Sequence, residues 1–342
     1  MVTFLETSLY FGYNLFLFML FFWIWVPGIL LSALLTLRYR QTVAKHLLQG
    51  KDTLWTTLWA ATVFGILSSP QRKSSLQTAR ILWEGGISPV GILVFLIASH
   101  SLVIYFLAVL NLLLGLEFAL GQVLGGILML LLVTAAVSAL GLNHPEPTTS
   151  PETTLPLLLA PYPSVPSWTD LLFSRHGWWA VLTYIGQEFR RIGLNTLIGI
   201  FLGGFFLAGG LEPWWIDLAL LGGGGVLTDL FNVLIAPLFS MILCVPPLGN
   251  LPLTASLFKA YVLNYPGMVS FVLASLVQPP MIRAYTEYFG RRAGYTVTLI
   301  LWGAAMGSGL LVTGIFGLFG FRPGYVPLHP LYRLWDWLWQ GE

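Results

Sequence analysis

The side chains here that could bind or move something are few, and they sit in unusual places. Cys244 is the single thiol, a soft ligand of the kind that metals and trivalent metalloids favour. Arg72 and Lys73 are adjacent cations just after Ser68-Ser69-Pro70-Gln71, between two hydrophobic stretches. At membrane depth they would attract an anion, or Lys73 would carry a titrating proton, because ionisable groups there are costly and usually functional. In an exterior loop they would only snorkel. His100 stands between Ser99 and Ser101 inside an apolar run, where an imidazole relays protons, coordinates a metal or is held by hydrogen bonds. No second His or carboxylate at ligand spacing accompanies it, so the sequence names no metal. Ser68, Ser69, Thr78, Asn250 and Thr254 could supply hydroxyl and amide ligands to a substrate. As plain small polar residues they would instead let helices approach closely. Gln278-Pro279-Pro280 either lines a path or kinks a helix, while Asp229 and Glu117 read as interfacial.

Other chemistries lack their residues. Neither GxSxG nor HExxH occurs, and Ser308 in Gly307-Ser308-Gly309 has no histidine partner in sight. The phosphate-cradling GxxxxGK[ST] is missing too, so nothing suggests ATP-driven work. One cysteine excludes a disulfide framework and a Cys-rich cluster. The chain reads as a non-enzyme without a cofactor and without a nucleic-acid partner.

The elements that must hold these residues are membrane helices. The chain is 56% hydrophobic and only 9% charged, against roughly 25% charged in soluble domains. Full spans are expected at about 14–37, 89–113, 117–142, 192–211, 266–283 and 296–319. Residues 1–37 lack a basic leading region and are read as a retained helix rather than a cleaved signal. Two shorter apolar stretches, 54–69 and 226–245, are each followed by a polar break and a second short helix, 74–86 or 250–263. Sixteen residues of helix reach roughly 24 Å, short of a roughly 30 Å hydrocarbon core. Each pair therefore reads as a re-entrant hairpin, tipped by Ser68 to Ser75 or by Cys244 to Asn250. Two tilted full spans are the alternative. Broken backbone at membrane depth is tolerated only around a protein-lined or wet cavity, so the tips are expected to meet and shape a site.

The two hairpins are also related by sequence. Residues 54–99 overlie 230–275 without a gap at an offset of 176, matching Pro70 to Pro246, Thr78-Ala79 to Thr254-Ala255 and Ala98-Ser99 to Ala274-Ser275. Such repeats are common in transporters; the abundance of Leu, Ala and Gly makes chance the rival explanation. Basic clusters at Arg38, Arg40, Lys45 and Lys51, at Arg175, Arg190 and Arg191, and at Arg283, Arg291 and Arg292 fall on one side only if the repeats are inverted. The expected organisation is a first transmembrane repeat at 1–142, a Pro-rich, mostly irregular cytoplasmic linker at 143–176, a second, inverted repeat at 177–320 and a Trp-rich interfacial tail at 321–342. Residues 177–191, with Trp178, Trp179, Leu182 and Ile185 set against Gln187, Glu188 and Arg190, read as an interfacial helix, as does Leu331–Trp339. The run Gly222 to Gly225 reads as a helix break.

The segment Cys244, Gly249-Asn250-Leu251-Pro252-Leu253, Gly267, Phe271-Val272-Leu273-Ala274-Ser275-Leu276, Pro279-Pro280, Tyr285 and Tyr288-Phe289-Gly290 resembles the bacterial predicted-permease family that includes ArsP-like and YraQ-like organoarsenical and metal-efflux permeases. Pro70 and Gly85-Gly86-Ile87-Ser88 carry the same resemblance into the first half. It implies an all-α polytopic permease with inverted halves, exporting a small solute across a bacterial inner membrane; inverted repeats would permit alternating access between the tips. The family often has a Cys-Ser-Cys-Gly-type first tip, where this chain has Ser68-Ser69-Pro70-Gln71; Val245, Ser275 and Arg283 are further departures. One thiol is poor equipment for a soft metal. A metalloid, a metal ion and an anion all stay open as cargo. A degenerate, non-transporting membrane scaffold is the alternative, and lipid, a second copy or a membrane partner are the partners in view.

Overall fold

The computed structural model describes residues 2–21, 25–49, 53–141, 149–159, 167–208, 225–260 and 262–321. Among them there is no strand, and the chain is an all-α polytopic membrane protein. The helices are α1 (Val2–Phe21), α2 (Trp25–Gln49), α3 (Leu54–Ile66), α4 (Arg72–Glu84), α5 (Pro89–Ser101), α6 (Ile104–Leu114) and α7 (Leu116–Ala139). Then follow α8 (Pro151–Leu159), α9 (Trp168–Phe173), α10 (Arg175–Leu207), α11 (Val226–Leu243), α12 (Pro247–Lys259), α13 (Tyr265–Leu273), a 3-10 turn (Ala274–Val277), α14 (Pro279–Phe289) and α15 (Arg291–Leu318). Among the described residues, α7, α11 and α15 can each cross a membrane by length and composition, and the bent pairs α5–α6 and α13–α14 raise the number to as many as five.

Helix boundaries repeat along with the residues. Adding 176 to the ends of α5 gives 265 and 277, the first residue of α13 and the last of the 3-10 turn. The same shift brings α4 within one residue of α12 and α6 within one of α14. Each half then reverses at one glycine, Gly115 (φ 112°) between α6 and α7 and Gly290 (φ 82°) between α14 and α15, a region open to residues without a Cβ. At the centre, α5 and α13 are buried along their whole length.

Several elements differ from the sequence reading. The expected span 89–113 is bent by 40° between α5 and α6. Ser99 Oγ and His100 Nδ1 both bond the Leu96 carbonyl, at 3.0 and 2.9 Å, and such side-chain bonds compete with the helix ladder. The expected span 266–283 bends by 48° at Gln278 and continues to Phe289. The span at 14–37 falls across α1 and α2 and over residues 22–24, which lie outside the described residues, and α2 runs on to Gln49. Residues 177–191 are no separate interfacial helix; they are the first half of α10, whose Ala180, Val181, Tyr184 and Glu188 are buried. Nor is the linker merely irregular. α8 lies against α2 and α4, and Thr149 N–H donates to Glu84 O at 3.2 Å. Asn143 to Pro147, Gly222 to Gly224 and the tail helix Leu331–Trp339 lie outside the described residues.

The hairpins are unequal. With about 1.5 Å of rise per residue, α3, α4 and α12, 13 residues each, reach about 20 Å. Helix α11 has 18 residues and about 27 Å, enough to cross. Helix α12 is buried from Pro247 to Leu257, whereas α4 leaves Lys73, Gln77 and Arg80 exposed. The cover over α12 is α10, brought to backbone contact by glycines. A Cβ on Gly199 would stand 2.0 Å from Gly249 O, and one on Gly204 would stand 2.6 Å from Gly12 N of α1.

Candidate functional site

The tips meet through Arg72. As the first residue of α4 it begins the return limb of the first hairpin. Its Nη2 donates to Cys244 O at 3.2 Å and to Gln278 Oε1, and Nη1 lies 3.8 Å from Cys244 Sγ. Cys244 caps α11 in the left-handed region, φ 49° and ψ 31°, unusual for a residue with a Cβ. That turn points its carbonyl away from the helix it ends and leaves it for the guanidinium. Gln278, fully buried at the bend before α14, holds the rest of the junction. Its Nε2 donates to Ser240 O (3.0 Å), Ser240 Oγ (3.2 Å) and Val245 O (2.9 Å). Both breaks of the second half are thus tied to one arginine of the first.

Among the described residues, no carboxylate pairs with Arg72, and its acceptors are neutral. Its Nε is buried without an acceptor, as is Nε2 of Gln71, which is 7% exposed. Asn250, in the first turns of α12, is fully buried with neither amide atom partnered. Such unpartnered groups are rare in the interior of folded proteins.

A second polar cluster holds the first tip from behind. Ser69 Oγ donates to Glu188 Oε2 at 2.9 Å, and Tyr105 OH donates to the same oxygen at 2.7 Å. Arg40 Nη1 donates to Leu67 O (3.0 Å) and Ser68 Oγ (3.1 Å), and Nη2 donates to Leu158 O (3.2 Å). One turn before Glu188, Tyr184 OH lies 3.1 Å from Ser32 Oγ. Arg40 and Glu188 are buried, so neither is the surface charge that the sequence suggested.

The remaining candidates divide. Ser68, Ser69, Arg72 and Cys244 gather at the junction and the cluster behind it. His100 sits beneath, Nε2 3.5 Å from Ser75 Oγ, with its Nδ1 proton engaged by Leu96 O. Thr254 donates its hydroxyl to Asn250 O within its own helix, and Thr78 is buried about 9 Å along α4 from Arg72. Lys73 is exposed and does not share the position of Arg72. Among the described residues no three His, Cys, Asp or Glu side chains group as metal ligands.

A groove of ≈ 580 Å³ leads toward the junction between α4 and α14, lined by Leu76, Gln77, Arg80, Pro280, Arg283 and Tyr288 among others. Its mouth carries two ion pairs, Arg80–Glu84 (2.9 Å) and Arg283–Glu287 (2.8 Å). Its walls are joined where Tyr288 OH donates to Leu76 O at 3.1 Å. Along the chain, Arg72 lies one helical turn before Leu76 and Gln278 two residues before Pro280, so the junction is close in sequence to the groove's lining. Sequence reading missed Arg40, Tyr105, Tyr184 and Glu188. The signal present for Glu188 was its helical spacing from Tyr184 and Ala180.

A family model described as "Predicted permease" (ArsP_1) matches residues 11–313. The protein named "Putative permease Rv2963", of Mycobacterium tuberculosis, is 24% identical over 277 residues, covering 78% of this chain and 68% of its own length. No solved structure matches the chain.

Proposed function

This chain belongs to the predicted-permease family, and on that premise we propose that it is a secondary permease carrying a small solute between its two hairpin tips. Membership makes it a membrane permease; the path and cycle are our reading. The observation that carries them is the Arg72 bridge to Cys244 and Gln278, a polar junction one helical turn along α4 from a groove lined by Leu76 and Arg80. Inverted-repeat transporters place their sites where broken helices meet, and one half rocks against the other. The unequal cover supports such a cycle: α4 is open along the groove while its counterpart α12 is sealed by α10. Arg80 and Arg283 at the mouth, with Arg291 and Arg292 next to it in sequence, favour a cytoplasmic opening, and loading there suits export across the cell's inner membrane.

The test uses Gln77→Cys and its repeat counterpart Leu253→Cys, each in a Cys244→Ser background, labelled with a membrane-impermeant maleimide from either side. Gln77→Cys should label from the cytoplasmic side, and Leu253→Cys slowly from outside. Arg80→Cys and Arg283→Cys can then be bridged by a short bis-maleimide to shut the groove. With the bis-maleimide applied first and quenched, while Leu253→Cys is still buried, shutting the groove should raise the later outside labelling of Leu253→Cys. Unchanged labelling after shutting would reject alternating access and favour a scaffold.

A further inference from the structure

We propose that the tip junction binds an anionic oxygen group, such as a carboxylate, phosphate or phosphonate, with Arg72 as its recognition residue. This rests on the permease reading above only for the delivery route; the site itself rests on geometry. Arg72 is half-buried, holds only neutral acceptors and has no carboxylate beside it among the described residues. An unpaired cation away from water is unfavourable unless something compensates it. On Arg72 and the residue before it the surplus is of donors: Arg72 Nε and Gln71 Nε2 are both buried without an acceptor. A guanidinium fork with a spare Nε matches a two-oxygen anion, which it can hold by parallel hydrogen bonds. Cys244 O and Gln278 Oε1 both accept from Nη2, neutral oxygens that an anion would replace or join.

The geometry also disfavours a soft cation here. Cys244 offers the single thiol of the chain, and a guanidinium nitrogen sits 3.8 Å from its sulfur. A metal at that sulfur would face a fixed positive charge.

Cys244 reports on the site directly. An anion on Arg72 would neutralise the charge beside the sulfur and occlude it, so thiol labelling should slow. The purified chain in phosphatidylcholine nanodiscs is labelled with maleimide while methylphosphonate, inorganic phosphate or acetate is titrated, with chloride and methylammonium as controls. The expected result is saturable, several-fold slowing by at least one oxyanion, lost in Arg72→Gln and weakened but present in Arg72→Lys. Equal slowing by chloride, no slowing by any oxyanion, or full protection in a folded Arg72→Gln variant would overturn the proposal. If Arg72→Gln does not fold, Arg72→Lys and Gln71→Leu decide, since unchanged protection in both would also overturn it. Repeating the titration in discs containing phosphatidylglycerol separates sources: slow labelling from the start, insensitive to added anion, means a lipid headgroup occupies the site. Flux is read separately in proteoliposomes. Protection without flux would leave the anion site and remove the permease cycle; flux of a neutral or cationic solute without protection would do the reverse.

Discussion

Replacing Tyr105 by Phe takes one hydroxyl out of the interior and leaves the ring in place. That hydroxyl donates to Glu188 Oε2 at 2.7 Å, and both residues are fully buried. Ser69 still serves the same oxygen from the first tip, so Tyr105→Phe forfeits a hydrogen bond without orphaning its acceptor, at a cost of about 1 kcal/mol. Glu188→Leu removes the acceptor from two buried hydroxyls, each worth about 1–3 kcal/mol when stranded. Interhelical hydrogen bonds within membranes average only about 0.6 kcal/mol, because the unfolded chain in lipid finds other partners. The lower half of the range therefore applies, and Glu188→Leu should cost about 2–4 kcal/mol. The two losses overlap in one bond, so the double variant should fall short of their sum by about 1 kcal/mol. Reversible unfolding in mixed micelles with SDS, followed by tryptophan fluorescence, measures all four corners of this cycle. If Tyr105→Phe costs as much without Glu188 as with it, the Tyr105–Glu188 bond between α6 and α10 contributes nothing.

Other substitutions test the remaining geometry. Gly199→Ala should cost at least about 2 kcal/mol or abolish a monodisperse peak in size-exclusion chromatography, since its Cβ would meet Gly249 backbone at 2.0 Å. Gly303→Ala, with open space around its Cβ, should be neutral or stabilising by up to about 1 kcal/mol in the same assay. Gln278→Leu removes the donor to Ser240 O and Val245 O as well as the acceptor of Arg72; maleimide labelling of Cys244 should accelerate several-fold. Gly290→Ala, at φ 82°, should lower thermal stability by about 1–3 kcal/mol, and an unchanged melting curve would contradict the tight α14–α15 reversal.

The repeat was the most legible part of the sequence, because the offset that aligns Pro70 with Pro246 also sets the helix ends. The meeting of the tips was legible as well, from the rule that broken backbone at membrane depth must line something. What failed was the interfacial helix at 177–191. Its Trp178 and Trp179 are exposed, but the segment is the start of the 33-residue α10, and Glu188, set on its polar face, is in the interior, since a membrane protein turns its polar groups inward. Arg40 was misread for the same reason: a basic residue after an apolar run looks like a topology signal until its carbonyl partners, Leu67 and Leu158, are seen. Those partners are distant in sequence, and no local pattern announces them. The bend at Leu102 was hidden because nothing in an apolar run marks where two side chains will claim the same carbonyl.

The approach of Arg72 to Cys244 has a consequence for how such a protein can be assembled. Cys244 is the repeat counterpart of Ser68, and the counterpart of Arg72 is Leu248. Were the halves two copies of one polypeptide, every contact across the axis would come twice, residue with partner and partner with residue. A cation at one tip would then oblige a second at the other, and two like charges would crowd a place where, among the described residues, no carboxylate pairs with Arg72. Joining the halves in a single gene product lifts that obligation. One tip is free to carry charge while its twin becomes aliphatic, so a symmetric scaffold can present a polar centre with a single sign and a single orientation.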